Sequence, residues 1–202
     1  MTTVYYAPNA RSLRVLWALE EMGAPYDVSR VQFPPRQRMP EYLDINPLGT
    51  IPAMVDGEVT LTESMAICEY LAEKHGGDLA VAPGAPGRAD YLQWCYFGEA
   101  SLVQPLGTMI RNSRVEPKDA GLERVISEAR EGYILRLAAL ESRLADHPFL
   151  AADRFTLADI SNAYALNLAG LLGLDDQLGR ETAAYWSRLK ARPAFGRAMA
   201  HK

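Results

Sequence analysis

Apolar residues repeat along this chain with two different periods, and the change from one to the other divides it. Through residues 1–77, short β-branched and aromatic runs alternate with helical stretches. Val4-Tyr5-Tyr6 has the composition of a strand. Arg11 to Met22 reads as a helix, with Leu13, Leu16, Trp17 and Glu20 on one side and Val15, Ala18, Leu19 and Met22 over much of the other. A helix this apolar nearly all round is buried on most faces. Gly23 stands where glycine commonly ends a helix. Tyr26 to Val31 predicts a second strand and Pro40 to Ile45 a short helical stretch. Pro52 to Val55 and Val59 to Leu61 flank Asp56-Gly57, a strong hairpin signal. Ser64 to His75 predicts a helix stopped by Gly76-Gly77. The order is β-α-β-(α)-β-β-α. Its first two strands should be parallel through a right-handed crossover and its last two antiparallel. That is a thioredoxin-like α/β domain.

Residues 78–87 contain Ala82-Pro83-Gly84-Ala85-Pro86-Gly87, two Pro-Gly breaks without apolar period, and read as a linker. After it only the helical period remains, so residues 88–202 form an all-α domain. Arg88 to Arg111 is one long helical stretch. Leu122, Ile126, Ala129, Tyr133, Leu137, Leu140 and Leu144 step by threes and fours along a second. Thr156 to Leu172 is a third, and Glu181 to Ala191 and Pro193 to Ala200 are two short ones. Thr156 and Asp159 have the spacing of a capping box, and Phe155 and Ile160 that of a hydrophobic staple. Both features are structural.

The net charge of −4 leaves no basic face for a nucleic acid backbone. Arg30, Arg36 and Arg38 cluster around Pro34-Pro35, as either a solvated loop or a site for one ligand carboxylate. Cys68 and Cys95 are far apart, which excludes a CxxC dithiol and a thiolate zinc site. His75, His147 and His201 show no ligand spacing, so no metal is implied. No apolar run approaches the roughly 20 residues that span a bilayer, and the first residues lack the pattern of a secretory signal. A cytoplasmic protein without membrane or nucleic-acid partners is expected.

Five motifs then carry a resemblance. They are Leu13-Arg14-Val15-Leu16-Trp17-Ala18-Leu19-Glu20-Glu21-Met22-Gly23, Asn46-Pro47-Leu48-Gly49-Thr50-Ile51-Pro52, Thr62-Glu63-Ser64, Phe149 to Asp159, and Arg192-Pro193-Ala194-Phe195. In this order and spacing, over nearly the whole chain, they resemble the glutathione S-transferase superfamily. The resemblance implies glutathione as co-substrate, a small hydrophobic electrophile as second substrate, and a homodimer.

It also implies roles for particular residues. The bond before Pro52 should be cis, turning the backbone N–H and C=O of Ile51 outward as an edge that pairs with the cysteinyl backbone of glutathione. Sequence alone equally allows Pro52 simply to begin a strand. Ser64, at a helix N-terminus, should hold the γ-glutamyl carboxylate, with Glu63 taking the amino group; the ordinary alternative is a serine cap beside a surface glutamate. Arg38 is a candidate for the glycyl carboxylate.

The reacting group is the ligand's thiol. With a pKa of about 8.5, about 3% is thiolate at pH 7. Lowering the pKa to about 6.5 takes about 2.7 kcal/mol. One hydrogen bond to a charged group supplies roughly 1.5–3 kcal/mol and a helix N-terminus roughly 0.3–1, so one donor suffices. Asn9 falls near the serine of the serine-type classes, Arg11 where the bacterial cysteine-type class has its cysteine, and Tyr5 near the tyrosine of the tyrosine-type classes. Ser12 is a hydroxyl in the first turn. The order of preference is Asn9, Ser12, Tyr5, with Arg11 as an electrostatic aid. Each also has a structural reading: Asn9 as a turn residue, Ser12 as a cap, Tyr5 as core.

Tyr96, Trp94 and Met109 are candidates for the hydrophobic wall of a co-substrate pocket between the domains, although most aromatic residues of this stretch should pack in the core. The expected activity is attack of the glutathione thiolate on a hydrophobic electrophile. A glutathione-dependent peroxide or disulfide reductase and a non-catalytic binding or regulatory protein of the same fold are the alternatives.

Overall fold

The structure, a computed structural model, describes residues 1–117 and 119–201. They form two compact units: Met1–Ala80 together with the segment from Lys190 onward, and Val81–Leu189.

The first unit begins with β1 (Thr2–Tyr6), α1 (Ser12–Met22), β2 (Tyr26–Arg30), α2 (Pro35–Arg38) and a 3₁₀ turn (Pro40–Asp44). β3 (Ala53–Asp56), β4 (Val59–Thr62) and α3 (Ser64–His75) follow. The sheet order is β2-β1-β3-β4, with β1 and β2 parallel and the other pairs antiparallel. This is the expected thioredoxin-like arrangement: a βαβ crossover on one side of β1 and a hairpin on the other. Gly57 turns the hairpin at φ 62°, where glycine carries no Cβ penalty. α1 is buried at every position from Ser12 to Leu19, because α3 and β1 pack against it. The α2 helix was not expected. Pro35 opens it at the first helical position, where a missing N–H costs nothing.

The second unit holds α4 (Arg88–Tyr96), a π-helical segment (Phe97–Leu102), α5 (Val103–Ser113), α6 (Ala120–Asp146), α7 (Leu157–Leu171), a 3₁₀ turn (Asp175–Gln177) and α8 (Arg180–Lys190). The stretch expected as one helix over 88–111 therefore winds more widely in its middle. α7 packs closely against this stretch. A Cβ on Gly98 would come within 2.5 Å of Ser161 Oγ. Ser161 Oγ donates to the Cys95 carbonyl at 2.8 Å and Asn162 Nδ2 to the Trp94 carbonyl at 2.7 Å. Carbonyls taken up by α7 in this way are available where the helical ladder widens. The capping box forms: Asp159 accepts from the Thr156 N–H at 2.8 Å, and Thr156 Oγ1 from the Ala158 N–H at 3.3 Å.

The last helix, α9 (Pro193–Met199), departs from the expected helical domain of 88–202 and belongs to the first unit. It packs on α1. The Trp17 and Phe195 rings meet edge-to-face with centroids 4.8 Å apart. Burying one such aromatic stabilises by roughly 1.5–3 kcal/mol.

Candidate active site

Strand register gathers the candidate residues at one end of the sheet. Tyr5, Ala53 and Thr62 lie abreast on β1, β3 and β4, and Tyr6 lies opposite Arg30 on β2. The turn into α1, the Ile51-Pro52 entry to β3, the Glu63-Ser64 entry to α3 and the loop after β2 therefore all leave the sheet on the same side. Residues far apart in sequence meet here because β1 runs antiparallel to β3 and parallel to β2.

Between β1 and α1 the chain makes a tight turn, closed by the Ala10 N–H on the Ala7 carbonyl at 3.2 Å. Asn9 occupies it at φ 60°, the region a type II turn requires and asparagine tolerates. Its side chain is exposed. Arg11 follows as the residue before the first turn of α1 and makes no side-chain cap. Ser12 is buried and committed to the turn: its Oγ donates to the Ala7 carbonyl at 3.1 Å and accepts from the Ala7 N–H at 3.4 Å. A hydroxyl has one proton, and that of Ser12 is used within the fold. Tyr5 is half-buried, its ring 5.6 Å from that of Tyr42. It joins a small cluster of Val31, Tyr42 and Ala53 that also includes Ile51. Among the described residues its hydroxyl makes no hydrogen bond.

The Ile51–Pro52 bond is cis. Among the described residues neither the N–H nor the C=O of Ile51 makes a hydrogen bond, although β3 begins two residues later. That leaves a short open edge beside the end of β1. The loop before it is tied down by Asn46, whose Nδ2 donates to the Thr50 carbonyl at 2.7 Å and whose Oδ1 accepts from the Leu48 N–H at 3.2 Å. Tyr42 adds its hydroxyl to the same Thr50 carbonyl at 2.6 Å. Asn46 and Tyr42 were not foreseen as supports of the site. Asn46 had a signal, as a polar residue at the head of a recognisable motif.

At the entry to α3, Glu63 is exposed at φ 67° and ψ 107°, a conformation non-glycine residues rarely adopt. Such outliers concentrate at functional sites. Ser64 begins the helix with only 2% of its surface exposed. Its Oγ accepts from Arg14 Nη1 at 3.2 Å. Arg14, on α1, is fully buried. The sequence carries a signal for it: a cation in the middle of a helix buried from Ser12 to Leu19. Cys68, one turn along α3, is buried, and burial pushes its thiol up to about 12 despite the opposing Arg14 charge.

Arg38 ends α2, exposed, and its side chain makes no hydrogen bond or ion pair among the described residues. Arg36 instead anchors the loop by donating to the Pro47 carbonyl at 2.8 Å. In the helical unit Tyr96 is 69% exposed, whereas Trp94 and Met109 are buried. Trp94 packs edge-to-face on Phe97, so these two offer little surface to a ligand. Among the described residues no three His, Cys, Asp or Glu side chains come together as a metal site, and no helix is long and apolar enough to cross a membrane.

Fold and site together define a class of protein: a thioredoxin-like unit carrying an open backbone edge and a helix-terminal serine, with a mostly helical unit after it. Comparison with known proteins agrees. Residues 10–74 match the family model for the N-terminal domain of glutathione S-transferases, and residues 86–193 match that for the C-terminal domain. The chain is 32% identical over 207 residues to glutathione S-transferase F10 of Arabidopsis thaliana, covering 96% of this chain and 95% of that protein. Among solved structures it is similar to the glutathione transferase URE2P6 of Phanerochaete chrysosporium in complex with oxidized glutathione. There the TM-score is 0.86 and the identity 29%, with 98% of this chain and 94% of that one covered. A glutathione transferase family member of Pseudomonas fluorescens with two glutathione bound gives a TM-score of 0.83 at 28% identity, covering 98% and 92%. The chain belongs to the glutathione S-transferase family.

Proposed function

We propose that this protein is a glutathione transferase that holds glutathione on its first unit and promotes attack by the ligand's sulfur on a small hydrophobic electrophile. The observation that carries the proposal is the convergence, at one sheet end, of the unpaired Ile51 edge and the Ser64 start of α3. The cysteinyl backbone pairs with Ile51, as in strand addition. The γ-glutamyl carboxylate lies at the N-terminus of α3, where free N–H groups and the helix dipole favour an anion, and accepts a hydrogen bond from the Ser64 hydroxyl. Glu63 takes the amino group. Arg38, exposed and unpaired, takes the glycyl carboxylate.

The sulfur then lies at the start of α1. Asn9 is the proposed side-chain donor to the thiolate, with Arg11 adding positive charge. Ser12 is disfavoured further as a donor because its hydroxyl already donates to the Ala7 carbonyl. In the reaction the thiolate forms a C–S bond and the leaving group departs with the bonding electron pair. Both protein cysteines are buried, which favours chemistry at the ligand's sulfur over a mixed disulfide with the protein. Tyr96 is the exposed aromatic of the proposed wall for the electrophile. A homodimer in the cytoplasm belongs to the same proposal.

The test is a conjugation assay with glutathione and 1-chloro-2,4-dinitrobenzene, run beside peroxide and disulfide substrates. Catalysed thioether formation is expected, with a pH–rate midpoint at about 6.5 that Asn9→Ala moves toward about 8.5, the free-thiol value. Ser12→Ala should lower the melting temperature and leave the midpoint in place. A thioether rate equal to the uncatalysed one would contradict the proposal.

A further inference from the structure

Behind the proposed γ-glutamyl subsite lies a second layer of residues, whose role presupposes that subsite. Arg14 Nη1 donates to Ser64 Oγ at 3.2 Å, from a side chain with no exposed surface. A guanidinium only donates, and a serine hydroxyl offers one proton and two lone pairs. The contact therefore occupies a lone pair of Oγ and turns the hydroxyl proton away from Arg14. Among the described residues that proton has no acceptor, although Ser64 is only 2% exposed. A buried donor left open is unusual. Here it lies at the N-terminus of a 12-residue helix, where an anion is favoured.

We propose that Arg14 is a positioning residue for ligand selection: it fixes Ser64 as a donor and makes the subsite select a carboxylate over a neutral group. The relay runs from the Arg14 N–H to Ser64 Oγ and from the Ser64 O–H to the ligand carboxylate. Consecutive hydrogen bonds polarise one another in a low-dielectric interior, and a cation at the head of the chain strengthens the bond at its end. Arg14 touches no ligand atom and acts through Ser64. A purely structural role for Arg14 would not discriminate between ligands.

The experiment compares two ligands by titration calorimetry on the full chain. One is glutathione. The other is γ-aminobutyryl-cysteinyl-glycine, which lacks only the γ-glutamyl α-carboxylate. The unaltered protein should prefer glutathione by at least about tenfold, the scale of a hydrogen bond to a charged group. Arg14→Gln should remove most of that preference by weakening glutathione and leaving the analogue unchanged, with Arg14→Lys intermediate. In a Ser64→Ala background Arg14→Gln should have no further effect on the ratio. Equal weakening of both ligands, or an unchanged ratio, would overturn the role of Arg14 and leave the subsite standing. No preference in the unaltered protein would overturn the subsite itself. Should the Arg14 variants fail to fold, the ¹⁵N guanidinium resonances of the unaltered protein decide. Those of Arg14 should shift on adding glutathione and stay in place on adding the analogue; no shift with glutathione overturns the proposal.

Discussion

Arg192 grips Glu21 through two parallel hydrogen bonds, Nε to Oε1 at 2.6 Å and Nη2 to Oε2 at 2.8 Å. The same Oε1 accepts from Trp17 Nε1 at 2.8 Å. Next to it, Glu20 takes Arg197 Nε at 2.5 Å and the Tyr26 hydroxyl at 2.6 Å. The two carboxylates that close α1 are thus the anchor for the last helix of the chain. They tie a late segment to the element that opens the proposed thiol site.

Removing that grip should be felt in stability. The Glu21 side chain is mostly buried and that of Arg192 about one-third exposed, so solvent screens part of the pair. Arg192→Ala should cost about 1–2 kcal/mol. Phe195→Ala, which leaves a gap against Trp17, should cost about 3 kcal/mol. Urea unfolding of both variants checks this. Losses below about 0.5 kcal/mol, the range of ordinary surface substitutions, would show that α9 is not held as described.

Asp56 supplies a pH dependence. Lys74 above all, then the Tyr70 hydroxyl, with a smaller part from Thr2, holds its carboxyl down at about 2 against the burial that raises it. A carboxyl lowered on folding stabilises fully above its ordinary value, near pH 4, and that stabilisation is lost as pH falls through about 2. The Lys74 side chain is 41% exposed, so the effect is discounted for solvent. Asp56→Asn should be less stable by about 1–2 kcal/mol at pH 7. The difference should shrink toward pH 2 in denaturant titrations at a series of pH values.

Glu63 separates stability from binding. A glutamate at φ 67° carries strain that glycine does not. Glu63→Gly should therefore raise stability by up to about 1 kcal/mol while weakening glutathione binding. Melting curves and titration of the same variant test both halves. A fall in stability with unchanged affinity would make Glu63 an ordinary turn residue.

Much of this architecture is legible in the chain itself. Asp56-Gly57 between two apolar runs specifies the β3–β4 hairpin, and the Thr156/Asp159 spacing specifies the start of α7, because both signals are local. The sheet end that gathers Ile51 and Ser64 follows from topology once the strands are paired. What stays hidden depends on partners distant in sequence. The π-helical segment at Phe97–Leu102 lies where Gly98 lets α7 approach closely at Ser161. The placement of α9 depends on Glu20 and Glu21, more than 170 residues away. The commitment of Ser12 to Ala7 is a matter of loop geometry that residue type does not reveal.

Asp159 does more than cap α7. It is fully buried and accepts from the Leu150 N–H at 3.1 Å, the Thr156 N–H at 2.8 Å and the Tyr185 hydroxyl at 2.8 Å. One carboxylate thus joins the loop before α7, the helix itself and α8. Asp159→Ala leaves several buried donors without an acceptor and should cost at least about 3 kcal/mol. Thr156→Ala, which removes one cap acceptor, should cost about 1 kcal/mol. Equal losses in thermal or urea unfolding would mean that Asp159 acts as a cap and nothing more.

Where a tripeptide lies on the first unit is tested most directly by a crystal structure of the protein with glutathione. The cysteinyl backbone should pair with Ile51, the γ-glutamyl carboxylate should sit on Ser64 Oγ and the sulfur should lie in front of α1. Glutathione bound with its carboxylate away from Ser64 and its backbone away from Ile51 would contradict that placement.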